Sequence, residues 1–213
     1  MKSFVAAAAL AALVAVALGH FPGALTGQTD LHAQPAAQPG PQFTQAGELI
    51  RPADFREWIF VTSGLGMTYN PANAPNPSPN FTNVYVNPSS YRSFMKTGQW
   101  PDQTMFVLEV RASAREGSIN RAGNYQTALV AIEAEVKDTR RFPGKWAFFA
   151  FGRTAEMKDR AEALAATADC YACHGTNGAV DNTFVQFYPT LLDVARRMGT
   201  LRPSFVDTPV AGH

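Results

Sequence analysis

Residues 81–98, FTNVYVNPSSYRSFMKTG, contain the pattern of a β-strand followed directly by that of a helix. In the first half, Phe, Asn and Tyr alternate with Thr and Val, which is typical of a strand with two different faces. Asn87 and Pro88 are residue types that precede and open a helix, and Gly98 is suited to ending one in a left-handed conformation. The stretch therefore predicts a strand and a short helix, the signature of a mixed fold.

Other strand-forming segments lie on both sides of this stretch. Residues 58–61, 104–112, 126–138 and 145–152 concentrate β-branched and aromatic side chains. The links between the later segments are short, which favours antiparallel pairing. We therefore expect a mainly antiparallel β-sheet.

The last part of the chain has a helical composition. Residues 155–175, AEMKDRAEALAATADCYACHG, are rich in alanine and carry charges at helical spacing, which predicts a helix leading into the cysteines. Residues 183–199 predict another helix that is interrupted or begins at Pro189. The expected fold class is α+β, a mainly antiparallel sheet with a few helices and a C-terminal helical segment.

The N-terminus resembles an export signal. Lys2 precedes an apolar run from Phe4 to Gly19 that is shorter than the roughly 20 residues of a membrane-spanning helix. We expect a signal peptide within residues 1–33, cleaved after residue 19 or 33, although an uncleaved anchor stays open. Residues 20–42, rich in Gln, Pro, Ala and Gly, predict a disordered tether, and 43–213 one domain. The expected location is periplasmic.

The charge balance points to no strongly charged partner. The formal net charge is +1, from 18 basic and 17 acidic residues. No strong electrostatic field is therefore expected to attract nucleic acid, and membrane association is expected only if the signal stays uncleaved.

Cys170 and Cys173 are the two cysteines of the chain, and several kinds of site could use them. A redox pair is expected at the start of a helix that follows a strand, and the predicted alanine-rich helix disfavours it. A structural zinc site needs four ligands, for which the domain offers only His174 and His213 besides the thiols. A disulfide across two residues closes too small a loop to stabilise the fold much.

The sequence CYACH fits covalent haem attachment, for which C-x-x-C-H is the signature. The two thiols bond the two vinyl groups on one edge of the ring, and His174 is the expected axial ligand of the iron. We expect one haem c. Only 39 residues follow His174 (213 minus 174), so the haem must dock on the preceding domain.

The sixth coordination position of the iron has no obvious protein ligand. Within the domain, His213 at the chain end is the one spare imidazole, and the methionines are scattered. An iron without a sixth protein ligand is open to small ligands such as NO or CO, or to chemistry.

Four segments, taken in order, resemble the cytochrome P460 family, which includes the β-type cytochromes c′. These segments are FREWIFVTSGLGMTYN, FTNVYVNPSSYRSFMKTGQWPDQTMF, AIEAEVKDTRRFPGKWAFFAF and CYACHGTNGAVDNTFVQFYPTL. The resemblance covers residues from about Asp54 to about Leu192. It implies a mainly antiparallel β fold, a homodimer and a five-coordinate haem c.

The resemblance also implies two possible chemistries. P460 enzymes carry a lysine bonded to the haem ring and oxidise hydroxylamine, whereas the β-type cytochromes c′ have an apolar distal face that binds NO and CO. The cross-linking lysine corresponds to Leu108, and no lysine occurs between Gly98 and Lys137. Phe81 and Leu108 are therefore expected in the distal pocket, and Glu133 is a candidate catalytic carboxylate.

The expectation from the sequence is a gas-binding protein similar to the β-type cytochromes c′. A P460-type oxidoreductase acting on hydroxylamine or NO stays an alternative, as does a simple electron carrier with a methionine as sixth ligand. A redox protein partner would accompany either alternative.

Overall fold

The structure is a computed structural model that describes residues 40–68 and 78–205. The predicted signal peptide and most of the predicted tether lie outside these residues, as does His213. Within the described ranges, no helix has both the length and the apolar composition needed to cross a membrane.

In the described residues, one α-helix lies between two strands of the sheet, and the other two α-helices follow the last strand. Short 3-10 turns lie at Phe55–Glu57, Thr154–Glu156 and Val185–Phe187. The strands are β1 Leu49–Ile50, β2 Ile59–Leu65, β3 Phe81–Val86, β4 Met105–Ala114, β5 Tyr125–Lys137, β6 Trp146–Arg153 and β7 Arg160–Ala161. The α-helices are α1 Pro88–Thr97, α2 Asp169–Asn177 and α3 Pro189–Met198.

The central element is a five-stranded sheet in which each strand pairs with the next along the chain. The order is β2-β3-β4-β5-β6 and every pair is antiparallel. This confirms the predicted antiparallel α+β fold. Strands β1 and β7 form a separate two-stranded sheet.

The two faces of the central sheet cover two different cores. On one face, Val107, Ile132 and Phe149 pack together with residues of β1 and β7. On the other face, Val86 and Phe106 pack against helices α1 and α3. Because successive side chains of a strand point to opposite faces, neighbouring residues serve different cores.

Helix α1 confirms the predicted boundaries but not the predicted role of Asn87. Pro88 begins the helix, and Gly98 ends it with a φ of 68°. The Asn87 side chain makes no cap hydrogen bond. Its Oδ1 instead accepts the backbone N–H of Met105, and its Nδ2 donates to the carbonyl of Gln103. Asn87 thus ties the helix start to the beginning of β4.

The predicted alanine-rich helix over residues 155–175 is wrong except for its last part. Strand β7 pairs with β1, Asp159 accepts a 2.7 Å hydrogen bond from Arg51, and the N–H of Leu164 donates to the carbonyl of Phe148. Helix propensity is a weak preference that tertiary packing overrides, so these tertiary pairings decide the conformation. Helix α2 begins only at Asp169, which places Cys170 in its first turn.

A buried ion network lies on the sheet face that packs against β1 and β7. The Glu109 side chain is 2% exposed and accepts hydrogen bonds from Arg56, Arg111 and Asn83. Burial alone would raise the pKa of Glu109, but these three donors hold it below its ordinary value. The carboxylate is therefore ionised and fully engaged at neutral pH.

Candidate haem site

A cavity of about 260 Å³ separates the central sheet from helix α2. We call it the sheet cavity. Its walls are mainly apolar, as expected for a site that receives a large aromatic ring. The apolar walls include Val84, Phe106, Leu108, Phe148, Phe184 and Tyr188.

Helix α2 brings the predicted haem ligands to this cavity. Cys170 and His174 are four residues apart on the helix, so they share one helix face, and both line the sheet cavity. Cys173 lines an adjoining cavity that shares Phe184 and Phe187 with the first. Both cysteines are free thiols and half-buried.

The surroundings of Cys170 do not favour a reactive thiolate. Burial raises the pKa of the Cys170 thiol, and the nearby carboxylate of Glu133 adds to the effect. Cys170 lies in the first turn of α2, so the expectation that a long helix precedes the cysteines is wrong. The raised pKa nevertheless weakens the redox interpretation, which requires a thiol with a lowered pKa.

A backbone carbonyl fixes the protonation of His174. Its Nδ1 lies 2.7 Å from the carbonyl oxygen of Asn182. A carbonyl oxygen can only accept, so Nδ1 carries a proton, and Nε2 is the nitrogen available to coordinate a metal. This is the tautomer that an axial iron ligand needs.

A buried carboxylate lies beside the same nitrogen. Glu135 Oε2 is 3.1 Å from His174 Nδ1, although the single N–H points at Asn182 and Oε2 has no aligned hydrogen-bond donor among the described residues. Burial would lower the pKa of His174, but Glu135 raises it above its ordinary value.

Two aromatic rings hold the imidazole of His174 in place. The ring centroid of Phe148 is 4.5 Å from that of His174, and the centroid of Phe184 is 4.3 Å away. Phe148 belongs to strand β6, and Phe184 lies just before a 3-10 turn. The imidazole orientation is therefore fixed by packing as well as by hydrogen bonding.

Leu108 and Glu133 lie together in the sheet cavity, as the sequence predicts. They are direct cross-strand partners in β4 and β5. Glu133 lies two residues, about 7 Å along β5, from Glu135. Glu133 as a whole is exposed, yet desolvation by the surrounding protein raises the pKa of its carboxyl, and the charges of Arg153 and His174 oppose the shift. Glu133 is thus a carboxyl with increased proton affinity, pointing into an apolar site.

The structure corrects the predicted position of Phe81. Its neighbours Thr82 and Val84 line the sheet cavity, and Phe81 does not. The reason is the strand period of two, which sends Phe81 to the opposite face of β3. The predicted distal phenylalanine is therefore replaced at this strand by a hydroxyl and an isopropyl group.

No lysine occurs among the described residues that line the sheet cavity. Lys137 is on the cavity-facing strand β5, but its Nζ donates to the Trp100 carbonyl and to Asp181, each at 2.7 Å. Lys96 is exposed in the last turn of α1. The position that the resemblance aligns with the cross-linking lysine is filled by Leu108.

Met67 is a cavity residue that the sequence analysis did not single out. It follows β2 and lines the sheet cavity, with its thioether folded over Gly64 so closely that a Cβ at residue 64 would clash with it. No local sequence pattern distinguishes it, because a single methionine after a strand is usually apolar filling.

The donor set fits haem better than a bare metal ion. In residues 40–68 and 78–205, no group of three or more His, Cys, Asp or Glu side chains is arranged to hold a metal ion. The same residues supply two thiols, an imidazole with the required tautomer and an apolar cavity. Haem c, held by Cys170, Cys173 and His174, is the group for which these features are suited.

Comparison with known proteins identifies the family. The family model described as Cytochrome P460 matches residues 52–185, which include the central sheet, most of the residues that line the sheet cavity, and the CYACH motif. A search of the curated proteins found no match. The match confirms the resemblance found in the sequence and covers more than half of the chain. The chain belongs to the cytochrome P460 family, and it is therefore a haem protein of the P460 and c′-β kind.

Proposed function

We propose that the protein carries one covalently attached haem c, with His174 as the single protein ligand of the iron, and that it binds NO or a similar small ligand. The observation that carries this proposal is the composition of the sheet cavity. An aliphatic residue, Leu108, occupies the position that the resemblance aligns with the cross-linking lysine. The described lining of the cavity contains no lysine. The cavity thus resembles a gas-binding site more than a cross-linked enzyme site.

Each motif residue has a definite task in this proposal. Cys170 and Cys173 hold the ring at one edge through thioether bonds, and His174 presents Nε2 to the iron because Asn182 and the two phenylalanines fix its imidazole. When bound, the haem supplies an iron centre that can coordinate NO or CO.

The cavity walls favour small, neutral ligands. Val84, Phe106 and Leu108 offer no hydrogen bonds, so a polar ligand would lose much of its hydration there, and an anion would also meet the carboxyl groups of Glu133 and Glu135. Neutral diatomic gases are weakly hydrated, so the desolvation free energy for entering such a site is small. We therefore expect NO and CO to bind more strongly than anions such as cyanide or azide.

The proposal includes export to the periplasm and assembly as a homodimer. Export is supported by the apolar N-terminal run, and by the requirement that c-type haem is attached outside the cytoplasm. The homodimer is supported by the assembly that the family resemblance implies, and light scattering of the purified protein tests it.

Glu133 supports a second candidate function. A carboxyl with a raised pKa beside the ligand site is suited to accepting or donating a proton. The alternative is therefore an oxidoreductase acting on hydroxylamine or NO, which would need a redox partner to remove electrons.

The test compares binding with turnover in the holoprotein purified from a host that matures c-type haem. Intact mass measures haem attachment, and titrations with NO and CO are run beside an assay of hydroxylamine oxidation with an artificial electron acceptor. The proposal expects one haem per chain, tight NO binding and no turnover. Turnover that is lost in Glu133→Gln would instead establish the oxidoreductase.

A further inference from the structure

We propose that Glu135 is a positioning residue for the iron ligand: its carboxylate acts on the Nδ1 side of His174, strengthens the iron–imidazole bond and lowers the reduction potential of the attached haem. This inference rests on the proposed function only in requiring haem on His174. It does not depend on which small ligand binds.

The contact is specific to one atom pair. Glu135 Oε2 lies 3.1 Å from His174 Nδ1, and no residue of the described chain donates an aligned hydrogen bond to this oxygen. Asn182 O takes the better-aligned position at 2.7 Å. The single N–H of the imidazole therefore faces two acceptors, one neutral and one anionic.

The position of Glu135 in the sheet makes the contact rigid. Glu135 lies on β5. Its direct cross-strand partners are Phe106 in β4 and Phe148 in β6. Glu135 is 7% exposed, on a strand that is paired on both sides. A carboxylate at such a place is costly to bury, so a cationic or strongly polarised neighbour is expected to stabilise it, and His174 Nδ1 is that neighbour.

The effect on the iron follows from the charge of Glu135. An anionic acceptor close to Nδ1–H draws the proton towards itself and makes Nε2 a stronger donor to the metal. In a buried site such charge interactions are only weakly screened. A stronger donor and a nearby negative charge both favour the ferric over the ferrous state, so the reduction potential falls.

Glu135→Gln tests this effect with little change of shape, and Glu135→Leu removes the acceptor entirely. Glu133→Gln is the matched control, because it removes one carboxylate from the same face of the same strand without touching His174. Two quantities are measured on the holoproteins: the midpoint reduction potential, and the iron–histidine stretching frequency of the ferrous form by resonance Raman spectroscopy.

We expect Glu135→Gln to raise the potential and lower the stretching frequency, and Glu135→Leu to change both further in the same directions. Glu133→Gln alters the charge near the haem and can move the potential, but it leaves the stretching frequency at the wild-type value. A wild-type frequency in Glu135→Gln, or an equal decrease in Glu133→Gln, would overturn the proposal. If Glu135→Leu does not accumulate with haem, Glu135→Gln alone decides.

Failure of the proposed function gives a different result. A six-coordinate ferrous protein contradicts the open iron site, and the potentials of the Glu135 and Glu133 variants then decide the inference, which requires a larger increase in Glu135→Gln. A wild-type protein without haem overturns both proposals.

Discussion

Leu108 of β4 and Glu133 of β5 are direct partners in the antiparallel register, and both side chains line the sheet cavity. An aliphatic group therefore faces the carboxyl of Glu133 at the position where an amine would neutralise it. Burial raises the pKa of the Glu133 carboxyl, and Leu108 offers no charge that would oppose this shift.

Introducing an amine at this position should reverse the shift. We predict that Leu108→Lys lowers the pKa of Glu133, because an ammonium group within a few ångströms stabilises the ionised carboxyl. Carbon-13 NMR titration of labelled glutamate side chains measures the change. Leu108→Met is the control, since it keeps the apolar volume and should leave the raised pKa in place. An unchanged titration in Leu108→Lys would show that the two side chains do not interact.

The turn after the CYACH motif should be sensitive to one methyl group. A Cβ on Gly178 would lie 2.8 Å from both Asn182 C and Thr183 N, so the segment that presents the Asn182 carbonyl to His174 would have to shift. We predict that Gly178→Ala lowers the free energy of unfolding by about 1–3 kcal/mol.

Gly175→Ala is the matched control for this prediction. Gly175 lies within α2, and nothing stands within 4 Å of its Cβ position. The control should be neutral or more stable by about 0.5–1 kcal/mol, because alanine is the better helix former. Chemical denaturation of the two variants distinguishes them, and equal stabilities would contradict the tight contact at Gly178.

The ion network around Glu109 should stabilise the fold in a pH-dependent way. We predict that Glu109→Gln costs about 1–3 kcal/mol at neutral pH, because it removes the charge that Arg56 and Arg111 share. The folded pKa of Glu109 is lowered, so its contribution is complete above the unfolded pKa. It is lost as the pH falls through the lower, folded pKa.

Urea unfolding of wild type and Glu109→Gln between neutral and acid pH measures this difference. The two curves of stability against pH should converge on the acid side. A constant difference at every pH would mean that packing, rather than charge, accounts for the effect of the substitution.

Met67 provides a direct test of the electron-carrier alternative. Gly64, on which its thioether packs, is level with Ala131 of β5, which lies roughly 13 Å along the strand from Glu135 beside His174, and β2 is three strands away from β5. At such a separation Met67 is not expected to share an iron with His174. We predict that Met67→Ala leaves the ferrous absorption spectrum unchanged. A change from a low-spin to a high-spin spectrum would identify Met67 as the sixth ligand.

The elements that depend on the backbone and side-chain preferences of neighbouring residues could be predicted from the sequence. Pro88 and Gly98 define the ends of α1 through their own backbone preferences, and the strand segments carry a clear period of two. The alanine-rich segment before Asp169 was predicted wrongly, because its conformation depends on pairing with β1 and with Phe148, far away in the chain.

In the site, too, features set by local pattern could be predicted, whereas contacts between distant parts of the chain could not. Leu108 and Glu133 could be placed together in the cavity because strand period and family resemblance agree. Phe81 was misplaced by one strand position. The contacts of His174 with Asn182 and Glu135 could not be predicted, since one is a backbone carbonyl and the other requires the packing of α2 on β5.

The most direct test of the proposed function is the absorption spectrum of the holoprotein in the ferric, ferrous and ferrous NO-treated states. We predict the ferrous Soret band of an ordinary high-spin haem c, which shifts when NO is added. A strongly red-shifted ferrous Soret band would indicate a modified ring and a P460-type enzyme. That result, or a ferrous spectrum insensitive to NO, would contradict the account.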